Sequence, residues 1–575
     1  MPILDEKPRF RGISLPPDGW VLTGLLVIYI FTGLIGHDPW KHDDAISIGI
    51  AHDLIRNGNW LILRLAGRAY PDAPLYYWLA AIAGKLFSWL MPFHDAVRLT
   101  SGVFTLLSLE FILLAARESQ GRPYAATAPL ILAGSIGFLF HAHEAQPMLL
   151  ALTAHTAAYW AFALLPRHPR RAVVIFATAL ATAFLANGLL PVITLLPALG
   201  ITLWRSEDRL RRLGGLLAGI AAAAVPCGVW LLAVHMASAD YLAGFFQAEC
   251  SILTRPVSLP ANFLRHASLL LWYAWPALPL AAWSLWSKRR RLGERAIAVP
   301  ALSFFAVLIL LVLLTSLRSA TALLLLPPLV LLASSGVETL RRGAANAFDW
   351  FSMVSFTFFA GIVWIGWSAL VFGWPTRLAR QAMRLEPGFL GVFSAPAFLF
   401  ALACTGFWFW MIVTSPRSPM RGITHWMVGL TLFWLLLASL WMPWIDYGKT
   451  FRGVSASLKK ALPAKMDCIA GAGLPMAFLA TLDYFEGIRV IPQKSERAAS
   501  CSWLLVQGSR RDPADLAGSG WRPVWHGNRP NDRRDYDRFH LYRASRRAEP
   551  ASALDDLAPA SPEPDPAVPS RARAE

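Results

Sequence analysis

Charge is what this sequence has least of. Of its 575 residues only 15% are Asp, Glu, Lys or Arg, while 55% are apolar. Water-soluble domains carry about 25% charged residues, so a soluble enzyme or carrier of this length is excluded. Cysteine is scarce, with 5 copies, too few for a disulfide-built scaffold. No glycine-rich phosphate loop follows a strand. The glycine turn in Cys468-Ile-Ala-Gly-Ala-Gly473 lacks the spacing of a nucleotide motif. There is no internal repeat and no cleavable leader with a small-residue exit site. The first apolar run, Trp20–Gly36, follows Lys7, Arg9 and Arg11 and reads as a retained helix.

What fills the chain instead is a series of apolar runs of about 18–22 residues, the length that crosses a bilayer. They fall near 20–36, 96–116, 124–141, 147–165, 172–187, 189–204, 213–235, 267–287, 297–315, 320–337, 351–373, 391–413 and 423–445. The sequence therefore predicts a mainly α polytopic membrane protein with about 13 transmembrane helices. The net charge of +17 sits largely in alternate short loops: Arg117/Arg122, Arg167/Arg170/Arg171, Arg205/Arg209/Arg211/Arg212, Lys288 to Arg295, Arg341/Arg342 and Arg417/Arg421. That is the positive-inside pattern, not a nucleic-acid-binding surface. With the N-terminus cytoplasmic, 37–95 forms a long outer loop, and an odd span count puts everything after Trp444 outside as well. Trp, 25 copies, clusters near run ends as an interfacial belt.

The outer loop carries two adjacent acids, Asp43 and Asp44, at the start of an amphipathic stretch to Ile55 that reads as a helix lying along the membrane surface. Asn57-Gly58-Asn59 ends it. Leu75–Leu90 is apolar enough to cross, but crossing would put Arg117/Arg122 outside, so it reads as a surface or re-entrant helix. Paired carboxylates at a membrane surface suit general-base work on a hydroxyl or phosphate; the bland alternative is a helix N-cap pair stabilised by the helix dipole.

Within 37–95 the residues Asp43-Asp44-Ala45, Ile50-Ala51-His52-Asp53-Leu54, Gly58-Asn59-Trp60, Arg64-Leu65 and Pro74-Leu75-Tyr76-Tyr77-Trp78, with Arg98-Leu99 beyond, resemble the first loop of bacterial GT-C glycosyltransferases of the aminoarabinose-transferase and protein-mannosyltransferase group. The resemblance implies a GT-C fold over 1–445, an active site facing the periplasm, and a polyprenyl-phosphate sugar donor. It further implies a lipid A, other glycolipid or protein acceptor, and residence in the inner membrane. Asp43 matches the family's catalytic acid, Asp44 its second acid, and Tyr76 and Tyr77 fall on the substrate side.

The chain departs from the family pattern at several points. Pro71-Asp72 stands where relatives have Glu-Lys, so the donor-phosphate lysine is missing; Lys41, Arg56, Arg64 and Arg68, or more weakly Lys85, are candidates to replace it. The acid expected at the outer end of the third span falls near Gln146 or Pro147, leaving Glu144 as a catalytic candidate. His143 and Glu144 are candidate ligands for a divalent cation, the one cofactor the sequence admits; the metal site is otherwise unknown. Phe245-Phe246-Gln-Ala-Glu249 with Arg255 resembles a family stretch whose histidines are here Ala248 and Cys250. Glu249, Arg255 and Arg318 are candidate donor contacts, arginine because its planar fork matches phosphate. Asn187-Gly188 stands where relatives have Lys-Gly.

After Trp444 the periodicity changes. Residues 446–544 read as a small α/β domain, matching the family's periplasmic domain, with Cys468 and Cys501 each preceding a strand and expected to pair in an oxidising compartment. Residues 545–575, rich in Ala, Pro and Ser, read as a disordered tail. Two other classes fit the composition. A lipid-linked-sugar transporter or flippase would place its acids near the bilayer midplane on paired repeats; a catalytically inactive GT-C-fold binding protein would tolerate loss of Asp43.

Overall fold

The computed structural model describes residues 20–545 apart from 122–124, 206–208, 255–257, 316, 417, 509–519 and 533–537. The basic N-terminal residues, Arg122, Arg255, Arg417, a short helix expected at 512–517 and the expected tail lie outside the described residues.

Among the described residues nine helical segments are long and apolar enough to cross a membrane, from Phe93–Gln120 to Arg421–Ala461, which is interrupted at Thr450 and Phe451. Each coincides with one of the apolar runs. The other four runs are shorter or interrupted helices: Trp20–Phe31, Leu189–Trp204, and two broken pairs, Thr127–Ala133 with Ile136–Ala142 and Leu259–Tyr273 with Ala277–Ser287. The breaks have local causes. Pro276 has no N–H to continue its helix. At Gly134 a side chain would press against the Trp426 ring, 3.0 Å from an added Cβ. The two breaks meet: Ile136 N–H donates to Trp275 O (3.2 Å), and Trp426 Nε1 donates to Gly134 O (2.8 Å). Backbone groups freed inside a bundle are thereby satisfied by neighbouring helices. The centre of the bundle is the helix Pro147–Leu164, nearly all of it buried.

The outer loop folds as a helix His42–Asn57, a two-stranded hairpin of β1 (Arg64–Leu65) and β2 (Arg68–Ala69), and a helix Leu75–Phe87. The loop helix ends where Gly58 adopts a left-handed conformation, φ 69°. It was expected to lie on the membrane surface with one wet face. Instead, residues 44–51 are all buried. Small residues permit this: a Cβ at Gly49 would meet Leu65 at 2.8 Å and Ala480 at 3.0 Å.

Ala480 belongs to the C-terminal α/β unit. Its sheet runs β4–β3–β5–β7–β6, from β3 (Ile469–Ala472), β4 (Ile491–Pro492), β5 (Trp503–Gly508), β6 (Trp521–Gly527) and β7 (Arg538–Ala544). β3 is parallel to β4 and β5, while β7 is antiparallel to β5 and β6. The helix Met476–Glu486 covers one face, with Phe478 stacked on Phe539 at 4.0 Å between ring centres. A disulfide joins Cys468 to Cys501, Cα atoms 4.9 Å apart, beside the adjoining ends of β3 and β5.

Four polar ties clamp this unit onto the loop. Arg56 bonds both carboxylate oxygens of Asp483 (3.0 and 2.9 Å), and Arg489 reaches Asp53 (3.2 Å). Arg68 donates to Val490 O (2.8 Å), and Arg452 grips Asp38. Loop and unit thus share one side of the membrane. That requires an even number of crossings between them, which the apolar runs supply only if Leu75–Phe87 does not cross.

Candidate active site

Two carboxylates open the loop helix, one peptide apart, and their surroundings are opposite. Asp44 is 1% exposed. Its oxygens take Arg98 Nε at 3.0 Å and Nη2 at 2.7 Å, and Ala145 N–H at 2.8 Å. Arg98, itself fully buried, also bonds His37 O (2.8 Å) and Asp95 (3.0 Å). Burial works against the Asp44 charge, but Arg98 outweighs it and holds the carboxyl below its usual range. Asp44 was expected in the catalytic pair; with both oxygens engaged by fold contacts, it has no face left for a substrate.

Asp43 is only half-buried, and burial within the surrounding protein raises its pKa, outweighing the opposite influence of His42. Glu144, His141 and Arg318 are its further charged neighbours. Glu144 is buried and ion-paired with Lys41, with His141 Nδ1 3.6 Å away. Burial opposes its charge, yet Lys41 and His141 bring its pKa down to about 2. Lys41 and Glu144 are therefore brought to Asp43, already tied to each other.

The position of the missing family lysine carries an acid that faces the same space. Asp72 accepts from Tyr77 OH (2.7 Å) and Ala73 N–H (2.7 Å), while its own N–H points to Tyr241 OH at 3.4 Å. Burial lifts its pKa to about 6 despite the Tyr77 hydrogen bond; Arg318 and Asp43 are its charged neighbours. Tyr70 has both acids as charged neighbours, and Tyr241 OH donates to its carbonyl (2.9 Å). Arg318 is exposed and acts on Asp43, Asp72 and Tyr70 alike.

The remaining candidates are placed elsewhere. Arg56 and Arg68 are spent on the C-terminal unit. Arg64 is exposed on the hairpin, and Lys85 is exposed near the far end of its helix. Tyr76 is fully buried, bonded to Ser101 at 2.7 Å, and so supports the site from behind. Glu249 accepts the Leu189 N–H at 2.7 Å, capping the helix after Gly188; a Cβ there would collide with the carboxylate at 2.2 Å. Burial raises its pKa to about 7. Among the described residues no group of three or more His, Cys, Asp or Glu is arranged to hold a metal ion. The ring nitrogens of His143 face Leu139 O (3.0 Å) and Tyr29 O (2.8 Å), which takes it out of the ligand set suggested with Glu144. Sequence reasoning missed Asp72, Tyr70 and Tyr241 as site residues. Only Asp72 left a signal, as the acid in a basic position.

No family model matches the chain. The undecaprenyl phosphate-alpha-4-amino-4-deoxy-L-arabinose arabinosyl transferase of Pseudomonas savastanoi is 26% identical over 451 residues, 74% of this chain and 77% of the relative. Its namesake from Pseudomonas aeruginosa is 27% identical over 439 residues, covering 72% and 73%. The structure of ArnT from Cupriavidus metallidurans bound to undecaprenyl phosphate superposes with a TM-score of 0.67 over 93% of this chain and 100% of that one, at 18% identity. The same protein in the apo state gives 0.64. The chain is a divergent relative of the aminoarabinose transferases. Its fold is the GT-C glycosyltransferase fold with a small C-terminal sheet. In this GT-C chain the half-buried acid is the first of the pair, Asp43, and the second has become an anchor.

Proposed function

We propose that the chain is an inner-membrane glycosyltransferase that moves one sugar from a polyprenyl-phosphate donor to an acceptor on the periplasmic face. Asp43 is the general base. Its raised pKa suits proton abstraction better than an ordinary carboxylate would. The acceptor oxygen attacks the anomeric carbon, its proton passes to Asp43, and the bond from that carbon to the phosphate oxygen breaks. Polyprenyl phosphate leaves with the bonding pair. Arg318 faces the charge that builds on the leaving phosphate. Lys41, held by Glu144, is the second cation beside it. The acceptor is lipid A, another glycolipid or a protein on that face.

One observation carries the reading: a half-buried carboxylate of raised pKa at a helix start, with an exposed arginine among its charged neighbours, in a fold shared with sugar transferases. The test is mass spectrometry of membrane glycolipids from a parent strain, a deletion strain and one carrying only Asp43→Asn. Loss of the same one-sugar species in both mutants supports the reading. A silent Asp43→Asn beside a deletion phenotype would leave a binding or transport role instead.

A further inference from the structure

Away from the site, the segment between the helices Arg342–Phe372 and Ala395–Thr414 holds a ten-residue helix, Thr376–Leu385. Arg377, Arg380 and Arg384 recur at i, i+3 and i+7, which places them on one face, and all three are exposed. Ala379 and Ala382 lie on the opposite face and cover a cavity of 260 Å³. Its wall is more apolar than polar, with Ala369, Val371, Phe389 and Trp444 among the lining residues; it also holds the buried carboxylate of Glu386, which has Lys449 as a charged neighbour. The segment's borders are apolar and outward: Trp374 is 67% exposed and Val392 82%. From Phe372 to Phe393 Glu386 is the one acid in the sequence.

A basic amphipathic helix with an aromatic and aliphatic fringe has the composition of an element lying in the headgroup layer. Here it also roofs a void that the protein's own side chains leave open. We infer that Thr376–Leu385 and the cavity beneath it form a binding site for an anionic phospholipid, with the headgroup phosphate on Arg377 and Arg380 and an acyl chain in the cavity. Charge selects the occupant: a zwitterionic headgroup carries an ammonium that the arginine row repels, whereas each basic residue near an anionic headgroup is worth about fivefold in binding. Tyr447 OH donates to Pro387 O at 3.0 Å, and Lys449 lies over the Trp40 ring at 5.4 Å. The lipid therefore sits one layer from the outer loop.

The experiment is native mass spectrometry of the purified full chain from mixed phosphatidylglycerol and phosphatidylcholine micelles. The parent protein should retain phosphatidylglycerol preferentially. Arg377→Gln with Arg380→Gln should lower that retention by roughly tenfold or more, Arg377→Lys with Arg380→Lys should keep most of it, and Ala382→Phe, which fills the cavity, should lower retention of both lipids. Equal retention of the two lipids by the parent overturns the inference, as does retention that ignores the glutamine pair. Asp43→Asn should bind lipid as the parent does, so failure here is separable from failure of the transferase reading.

Discussion

Asp43 and Asp44 show how little chain distance says about role. Adjacent helical residues point about 100° apart. One therefore stays half-buried near Glu144, His141 and Arg318 while the other meets Arg98, 54 positions away in the sequence. The acid pair was legible in the sequence; the division of labour was not, because it depends on a tertiary partner. The two substitutions should separate cleanly. Asp43→Asn should lower the transfer rate by about 10²-fold or more with an unchanged melting curve. Asp44→Asn should leave the buried Arg98 guanidinium with Asp95 as its remaining carboxylate partner and cost on the order of 3 kcal/mol, seen as an earlier thermal transition in detergent. Asp72 makes a pH prediction. Its folded pKa, raised to about 6 from 3.8, means the folded state holds the proton more tightly than the unfolded chain. Stability associated with that proton is full below pH 3.8 and is lost as pH rises through 6. Asp72→Asn should therefore stabilise the protein at pH 7.5, by up to about 3 kcal/mol, and the gain should vanish near pH 4. A melt series across that range measures it; a gain that grows toward acid pH would contradict the assignment.

At the scale of elements, the loop helix is the clearest case of partial legibility. Its start at the acid pair and its end at Gly58 follow from local chemistry. Burial on both faces does not, because the covering helix Met476–Glu486 lies more than four hundred residues on, and the amphipathic pattern names only the face nearest the spans. The same distance hid the clamp. Arg56 reads as a free loop arginine until Asp483 is seen beside it. Both Arg56 and Arg489 converge on that carboxylate, so Asp483→Asn should loosen the C-terminal unit by about 2 kcal/mol. Hydrogen exchange should then quicken in His42–Asn57 as well as in Met476–Glu486. Faster exchange confined to the second helix would mean that the clamp does not hold the loop.

For the whole molecule, hydropathy and loop charge located the bundle because both are properties of the chain alone. They could not show that two runs are broken, since a broken helix has the same composition as a continuous one. The structure adds a constraint that charge counting lacks. The outer loop follows the first run and the α/β unit follows the last, yet Arg56 and Asp483 touch. Leu75–Phe87 is apolar and 13 residues long; had it crossed, the two partners would stand on opposite sides of the bilayer. The disulfide between Cys468 and Cys501 adds direction, because such bonds persist on the oxidising side. Single cysteines at Asn59 and at Asn528, introduced into a chain whose other thiols are blocked, should therefore both react with a membrane-impermeant maleimide in intact spheroplasts. One at Arg290, in the basic loop, should react only after lysis. Labelling of Asn59 and Asn528 in opposite conditions would break the loop-to-unit packing and, with it, the burial of the loop helix under Met476–Glu486.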